Sequence, residues 1–215
     1  MSNFQLAATL RTGTRALHSA TERTGIMQDL LRGRIDLPTY ARLLRNLLAI
    51  YTALERALND RHIQQPLLKA LHFPELRRQW RIKADLEFLC GDNWVANIPL
   101  TKAAGEYASR LEELEEEDPV LLLAHSYVRY LGDLSGGQVL RGVVGKALRL
   151  TEDAGLQFYS FSPLTAPDLA ARYRLALDSI QVDTSTGTRI VAEAQSAFGR
   201  HINLFGELAA PQSFQ

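Results

Sequence analysis

The apolar residues Tyr40, Leu43, Leu44, Leu47, Leu48, Tyr51, Leu54 and Leu58 recur at intervals of three and four, a spacing that lays one continuous stripe along a helix. Asp36 and Pro38 stand where a helix of this kind starts, one as a side-chain acceptor for free amide groups and the other with its torsion already set. A stripe of this length needs other elements to cover it. The rest of the chain offers more helices and almost no residues at strand period, so the predicted class is all-α, with roughly eight helices in a single domain over residues 1–215.

The remaining elements follow from breakers and caps. Residues from about Phe4 to Leu31 carry Leu6, Leu10, Leu17, Met27, Leu30 and Leu31 at helical spacings, with Gly13 and Gly25 as weak points, which predicts one bent helix or two short ones. Pro74-Glu75 reads as the start of a helix that runs through Leu89 and stops near Gly91. Thr101 caps another, whose acidic end, Glu112 to Asp118, reads as a solvated face halted before Pro119. Residues from Pro119 to Leu150 are again helical in pattern despite Gly132, Gly136, Gly137, Gly142 and Gly145. Each of these costs about 1 kcal/mol relative to alanine in a helix interior, so something must require them. The stretch 156–163 alternates briefly but has no partner strand and reads as a loop, followed by helices over about Pro167–Ile180 and Gly187–Leu208.

Lys+Arg and Asp+Glu both number 24, so no net charge draws this chain to nucleic acid or to an anionic membrane. Cys90 is the only cysteine, which removes a disulfide framework and any CxxC metal site. No apolar run approaches the roughly 20 residues a bilayer span needs, and the first residues lack a secretory pattern, so a cytoplasmic location is expected. None of the histidines has a glutamate three residues before it, which argues against a carboxylate-bridged di-iron bundle.

Two features carry chemistry. On a helix, His18 and Glu22 face the same way one turn apart, and an imidazole that binds a metal through one nitrogen needs an acceptor for the N–H of the other. An exposed His/Glu pair on a helix surface has the same signature. The second feature is His125-Ser126-Tyr127-Val128-Arg129-Tyr130-Leu131-Gly132-Asp133-Leu134-Ser135-Gly136-Gly137-Gln138. Gly132 and Gly136, four apart, leave a helical strip without Cβ atoms against which a flat ligand or a second helix can lie. Asp133 beside that strip favours the ligand, because a carboxylate near bound dioxygen can hold waters that deliver protons.

The run from Tyr127 to Gln138 resembles the signature of the haem oxygenase family, and the similarity extends to the His18-x-x-x-Glu22 element, a helix containing Tyr51, and a last helix with Ala197, Phe198, Leu204 and Phe205. The resemblance implies a fold in which haem b, both substrate and cofactor, lies between a proximal helix bearing the iron ligand, His18, and a kinked distal helix over Gly132 to Gly137. It implies cleavage of haem by O2, with electrons from an external donor (a ferredoxin, a flavoprotein reductase or a small reductant), to biliverdin, iron and carbon monoxide.

By the same resemblance Asp133 organises distal waters together with Tyr51, Tyr107 and Arg129, while Gly132, Gly136 and Phe198 contact the haem. Arg11, Arg15 and Arg174, with Tyr127, meet its propionates. His125 is implied to be a packing residue, and His62 and His72 read as exposed. Two positions depart from the pattern. Ala170 stands where relatives often carry a lysine, and His201 where mammalian members carry an asparagine, which makes it either a member of the distal network or a rival ligand. A non-catalytic haem carrier or sensor would use the same pocket without needing Asp133.

Overall fold

The computed structural model describes residues 4–151 and 153–209. It is built from α-helices and short 3-10 turns, with no strand among the described residues: α1 (Leu6–Glu22), α2 (Ile26–Leu31), α3 (Leu37–Arg61), α4 (Pro66–Ala70), α5 (Gln79–Cys90), α6 (Trp94–Asn97), α7 (Lys102–Glu117), α8 (Leu122–Ser135), α9 (Gly137–Leu148), α10 (Ala166–Ser179) and α11 (Thr184–Ala209). The all-α class is as the sequence predicts. The helices outnumber the expected eight because single-turn pieces such as α4 and α6 are too short to leave a periodic signal.

The apolar stripe lies on α3, where Tyr40, Leu44, Tyr51 and Leu54 are wholly buried and the Asp36 side chain accepts from the Thr39 amide at 2.9 Å. α3 packs against α7, α5 and α8, while α1 runs along α11, which also leans on α8. The buried side chains form one continuous core through these contacts. Gly13 does not break α1; its bare side receives Val191 of α11, and a Cβ there would sit 3.0 Å from the valine methyl. Gly25 does separate α1 from α2. Its φ of +52° is one an L side chain rarely adopts, and a Cβ on it would lie 2.1 Å from the Phe205 carbonyl oxygen.

The start of α5 departs from the sequence reading. Pro74-Glu75 opens only a 3-10 turn, Pro74–Leu76, and the helix begins at Gln79, because Glu55 reaches over from α3 to accept the Arg78 amide at 2.5 Å and the Gln79 amide at 3.3 Å. That carboxylate does at α5 what a local cap usually does. α11 begins at Thr184, three residues before Gly187, with the Asp183 side chain accepting from the Thr186 amide at 2.9 Å. His62 and His72 are half-buried rather than exposed, their rings stacked with centroids 3.9 Å apart.

Residues 156–163 form no strand; they hold a single 3-10 turn, Gln157–Tyr159. Two buried charges of the α5 region fix this segment. Asp85 accepts the Gln157 and Phe158 amides at 2.8 and 2.7 Å, and the Arg78 guanidinium donates to the carbonyls of Phe158 and Ser160 at 3.2 and 2.5 Å. Each charge is thus spent on backbone groups that would otherwise be buried without partners. No helix among the described residues is long and apolar enough to cross a membrane.

Candidate active site

α1 and α8 face each other across a cleft, and the helical run predicted over Pro119–Leu150 divides at Gly136, between α8 and α9, on one wall of it. Gly136 keeps right-handed helical torsions (φ −73°, ψ −30°), so the glycines here are used for space and not for a left-handed turn. A Cβ on Gly132 would meet nothing within 4 Å, and one on Gly136 would meet only its own helix, the Gly132 carbonyl oxygen at 3.5 Å. Both residues are exposed to the cleft. The alternative use of such a strip, close packing of a second helix, is therefore not what Gly132 serves.

The inner cavity lies between His18 and Glu22 of α1, Gly132, Asp133, Gly136 and Gly137 of the facing wall, and a largely apolar lining that includes Leu43, Leu47, Phe158, Phe198 and Phe205. A broader mouth adjoins it, and His18, Val128, Gly132 and Phe198 border both. Arg11, Arg15, Arg174 and Tyr127 all line this mouth, so the cations that the sequence singles out sit at one end of the cleft. Of these, Arg174 reaches Ser135 Oγ at 3.4 Å. Ala170, the departure in the same region, is buried and leaves no cation there.

His18 is more than half exposed, with its ring edge-on to Phe198 at 6.0 Å between centroids. Glu22 Oε1 stands 3.7 Å from His18 Nδ1, close enough for electrostatic attraction but beyond a hydrogen bond. Nε2 takes no hydrogen bond among the described residues, whereas the other histidines near the cleft are committed. His125 is buried, accepting from the Tyr107 hydroxyl on Nδ1 at 3.0 Å and donating from Nε2 to Glu193 at 3.0 Å. Burial keeps its pKa down despite Glu193. Although burial opposes its charge, Glu193 is held down at about 2 by hydrogen bonds from His125 and Arg110.

Behind the glycine strip lies a buried polar cluster. Tyr51 of α3 donates its hydroxyl proton to Asp133 Oδ2 and accepts from Arg129 Nε and Nη2 at 3.0 and 2.8 Å. Arg129 Nη2 also donates to Asp133 Oδ1 at 3.2 Å, and Nη1 lies 2.7 Å from His201 Nε2. Burial pushes the Asp133 carboxyl up, against the lowering influence of Arg129 and Tyr51. Burial also works against the Arg129 charge, but Tyr51 and Asp133 outweigh it and hold the guanidinium above its ordinary value. The structure thus brings Asp133, Arg129 and Tyr51 into direct contact. It does not bring Tyr107 to Asp133: the Tyr107 hydroxyl is bonded to His125, and its ring meets the cluster only through an edge contact with His201 at 5.1 Å.

Sequence reasoning missed several walls of the cleft. Phe158 and Tyr159 come from the segment held by Arg78 and Asp85, and Leu43 and Leu47 come from the core stripe of α3. Nothing local distinguishes these from ordinary core residues.

The family model described as "Heme oxygenase" matches residues 4–207. "Heme oxygenase 1" of a Nostoc species is 38% identical over 204 residues, covering 94% of this chain and 85% of that protein. Among solved structures, heme oxygenase from Leptospira interrogans superposes with a TM-score of 0.90 at 36% identity, covering 95% of this chain and all of that one. Heme oxygenase-1 of the cyanobacterium Synechocystis sp., solved in complex with heme, superposes at 0.88 with 36% identity, covering 95% and 92% of the two chains.

Proposed function

The chain belongs to the haem oxygenase family, and from that premise we propose that it binds haem in the cleft between α1 and α8 and, with O2 and electrons from an external donor, opens the porphyrin to biliverdin, iron and carbon monoxide. One observation carries the reading: an exposed imidazole, His18, lines the same cleft as a helical strip without side chains, Gly132 and Gly136, with a buried carboxylate, Asp133, beside that strip. The open space in front of Gly132 and the apolar lining suit a flat hydrophobic ring system. When bound, haem supplies the redox-active iron and the porphyrin carbon that is oxidised.

The residues present divide the remaining work. His18 would ligate the iron, with Glu22 one turn on to hold its second nitrogen. Arg11, Arg15 and Arg174, with the Tyr127 hydroxyl, would meet the propionates at the mouth, where guanidinium groups can make paired hydrogen bonds to carboxylates. Phe198 packs beside His18 and would cover the ring. On the other face, Gly132 and Gly136 would let the backbone approach the ring closely.

Asp133 would hold a proton-bearing water near the reacting centre, its carboxylate pinned by Tyr51 on one oxygen and Arg129 on the other. Tyr107 belongs to a second layer through His125 and His201. Acting through water, a carboxylate gives a softer proton push than a direct acid. Leu43, Leu47 and Phe158 exclude bulk water from this side. The donor would be a ferredoxin, a flavoprotein reductase or a small reductant. Aerobic reduction of the hemin-loaded protein tests the proposal, since a haem carrier using the same cleft would keep its haem intact.

A further inference from the structure

His201 is 2% exposed and lies on α11 between Tyr107 and Phe205, with its imidazole on the wall of the inner cavity. Both ring nitrogens have partners. Nδ1 is 2.9 Å from the Ala197 carbonyl of its own helix, which can only accept, and Nε2 is 2.7 Å from Arg129 Nη1, which can only donate. These two partners leave one consistent arrangement, a neutral ring with its proton on Nδ1 and its Nε2 lone pair directed at the guanidinium. That lone pair cannot serve an iron at the same time, so His201 is not a rival to His18.

We propose that His201 is a positioning residue: its Nε2 fixes the Arg129 guanidinium, which through its other edge holds Tyr51 and Asp133 against the cleft. The geometry of Arg129 supports this. Nε and Nη2 are both directed at the Tyr51 hydroxyl, with Nη2 shared with Asp133, so the guanidinium faces two acceptors on one side and, among the described residues, His201 alone anchors the opposite side. A planar group held at both ends cannot rotate away from the carboxylate. The groups that face His201 enforce its neutral form. Burial and then the Arg129 charge keep its pKa well below the ordinary histidine value, with the buried His125 adding to this and the Ala197 carbonyl opposing it.

The inference rests on the haem oxygenase reading for its catalytic meaning, but its structural content can be measured without haem. In the haem-free protein, nitrogen NMR of His201 should show Nδ1 protonated and Nε2 as an unprotonated acceptor. His201→Leu keeps much of the volume and removes the acceptor, whereas His201→Gln places an amide oxygen near the position of Nε2. The Arg129 Nε–H should exchange with water at least about tenfold faster in the Leu variant and return towards the native rate in the Gln variant.

With hemin bound, the Leu variant should lose roughly 10- to 100-fold in kcat while its hemin affinity changes little, with the Gln variant recovering most of the loss. A proton on Nε2 in the native protein, or Arg129 exchange unchanged in the Leu variant, overturns the proposal. Should the Leu variant fail to fold, the native tautomer and the Gln variant still decide it. A native protein that formed no bilin would refute the haem oxygenase reading and leave the NMR result on His201 standing.

Discussion

The Tyr51 hydroxyl donates to Asp133 while accepting two N–H groups of Arg129, so the carboxylate on α8 is held in place from α3. Ordinary packing would not select a charge in this position, because Asp133 is buried and its ionised form is disfavoured there. Asp133→Asn keeps the shape and removes the charge. The hemin affinity of the variant should stay within a few-fold of native, while biliverdin formation falls by about 10²-fold or more and peroxidase-like products take its place. Hemin titration and product chromatography measure the two effects separately, and an unchanged biliverdin yield would remove Asp133 from the mechanism.

Gly132 gives a prediction in which stability and function move in opposite directions. A Cβ at this position meets open space, and alanine is favoured over glycine in a helix by about 1 kcal/mol, so Gly132→Ala should raise the melting temperature of the haem-free protein. The same methyl occupies the space in front of the strip, so hemin affinity should drop about tenfold or more. Thermal unfolding with and without hemin reads both. Lowered stability of the haem-free variant would mean that the strip serves packing.

Gly25 behaves in the opposite way. With φ at +52° and the Phe205 carbonyl 2.1 Å from where a Cβ would stand, Gly25→Ala must displace the α1–α2 junction from α11. The expected loss is about 2 kcal/mol or more, seen as a lowered denaturant midpoint. A midpoint equal to native would show that this junction can move freely.

Glu55 links pH to stability. Burial raises its pKa to about 7 against the lowering pull of the Arg78 and Gln79 amides, while in the unfolded chain it titrates near the ordinary glutamate value. Between those two values the folded state holds the extra proton. Its contribution is therefore fully present below about pH 4.5 and is lost as pH rises through 7. Asp85, raised by burial to about 6, acts in the same direction over an overlapping window. Unfolding free energy measured from pH 5 to 8 should fall with pH in the native protein and fall less steeply in Glu55→Gln. An equal slope in both would exclude Glu55 as a source.

Much of the molecule is legible in the chain because its signals are local. The stripe on α3, the caps at Asp36 and Thr101, and the halt at Gly91 each depend on residues within a few positions of one another. The start of α5 is not legible, because its capping group, Glu55, lies more than twenty positions earlier on another helix. The same distance effect hides Arg78 and Asp85, which brace the Phe158 wall from across the fold. At the site, His18, Arg129, Gly132 and Asp133 are marked by the motif that holds them. Leu43 and Leu47 are not, since a residue lining a cleft and one filling a core carry the same apolar side chains. His201 could be noticed in the sequence, but its role depends on partners at Ala197 and Arg129 that only the folded chain brings to its two nitrogens.

Consumption of haem in this cleft, as opposed to its mere carriage, is the decisive property of a haem oxygenase. Its most direct test is to load the protein with hemin, supply a reductant in air, follow the Soret band, and identify the products by chromatography. The Soret band should bleach while biliverdin accumulates together with released iron and carbon monoxide, and His18→Ala should abolish the native haem spectrum and this turnover. A Soret band that persists through repeated aerobic reduction, with no bilin formed, would contradict it.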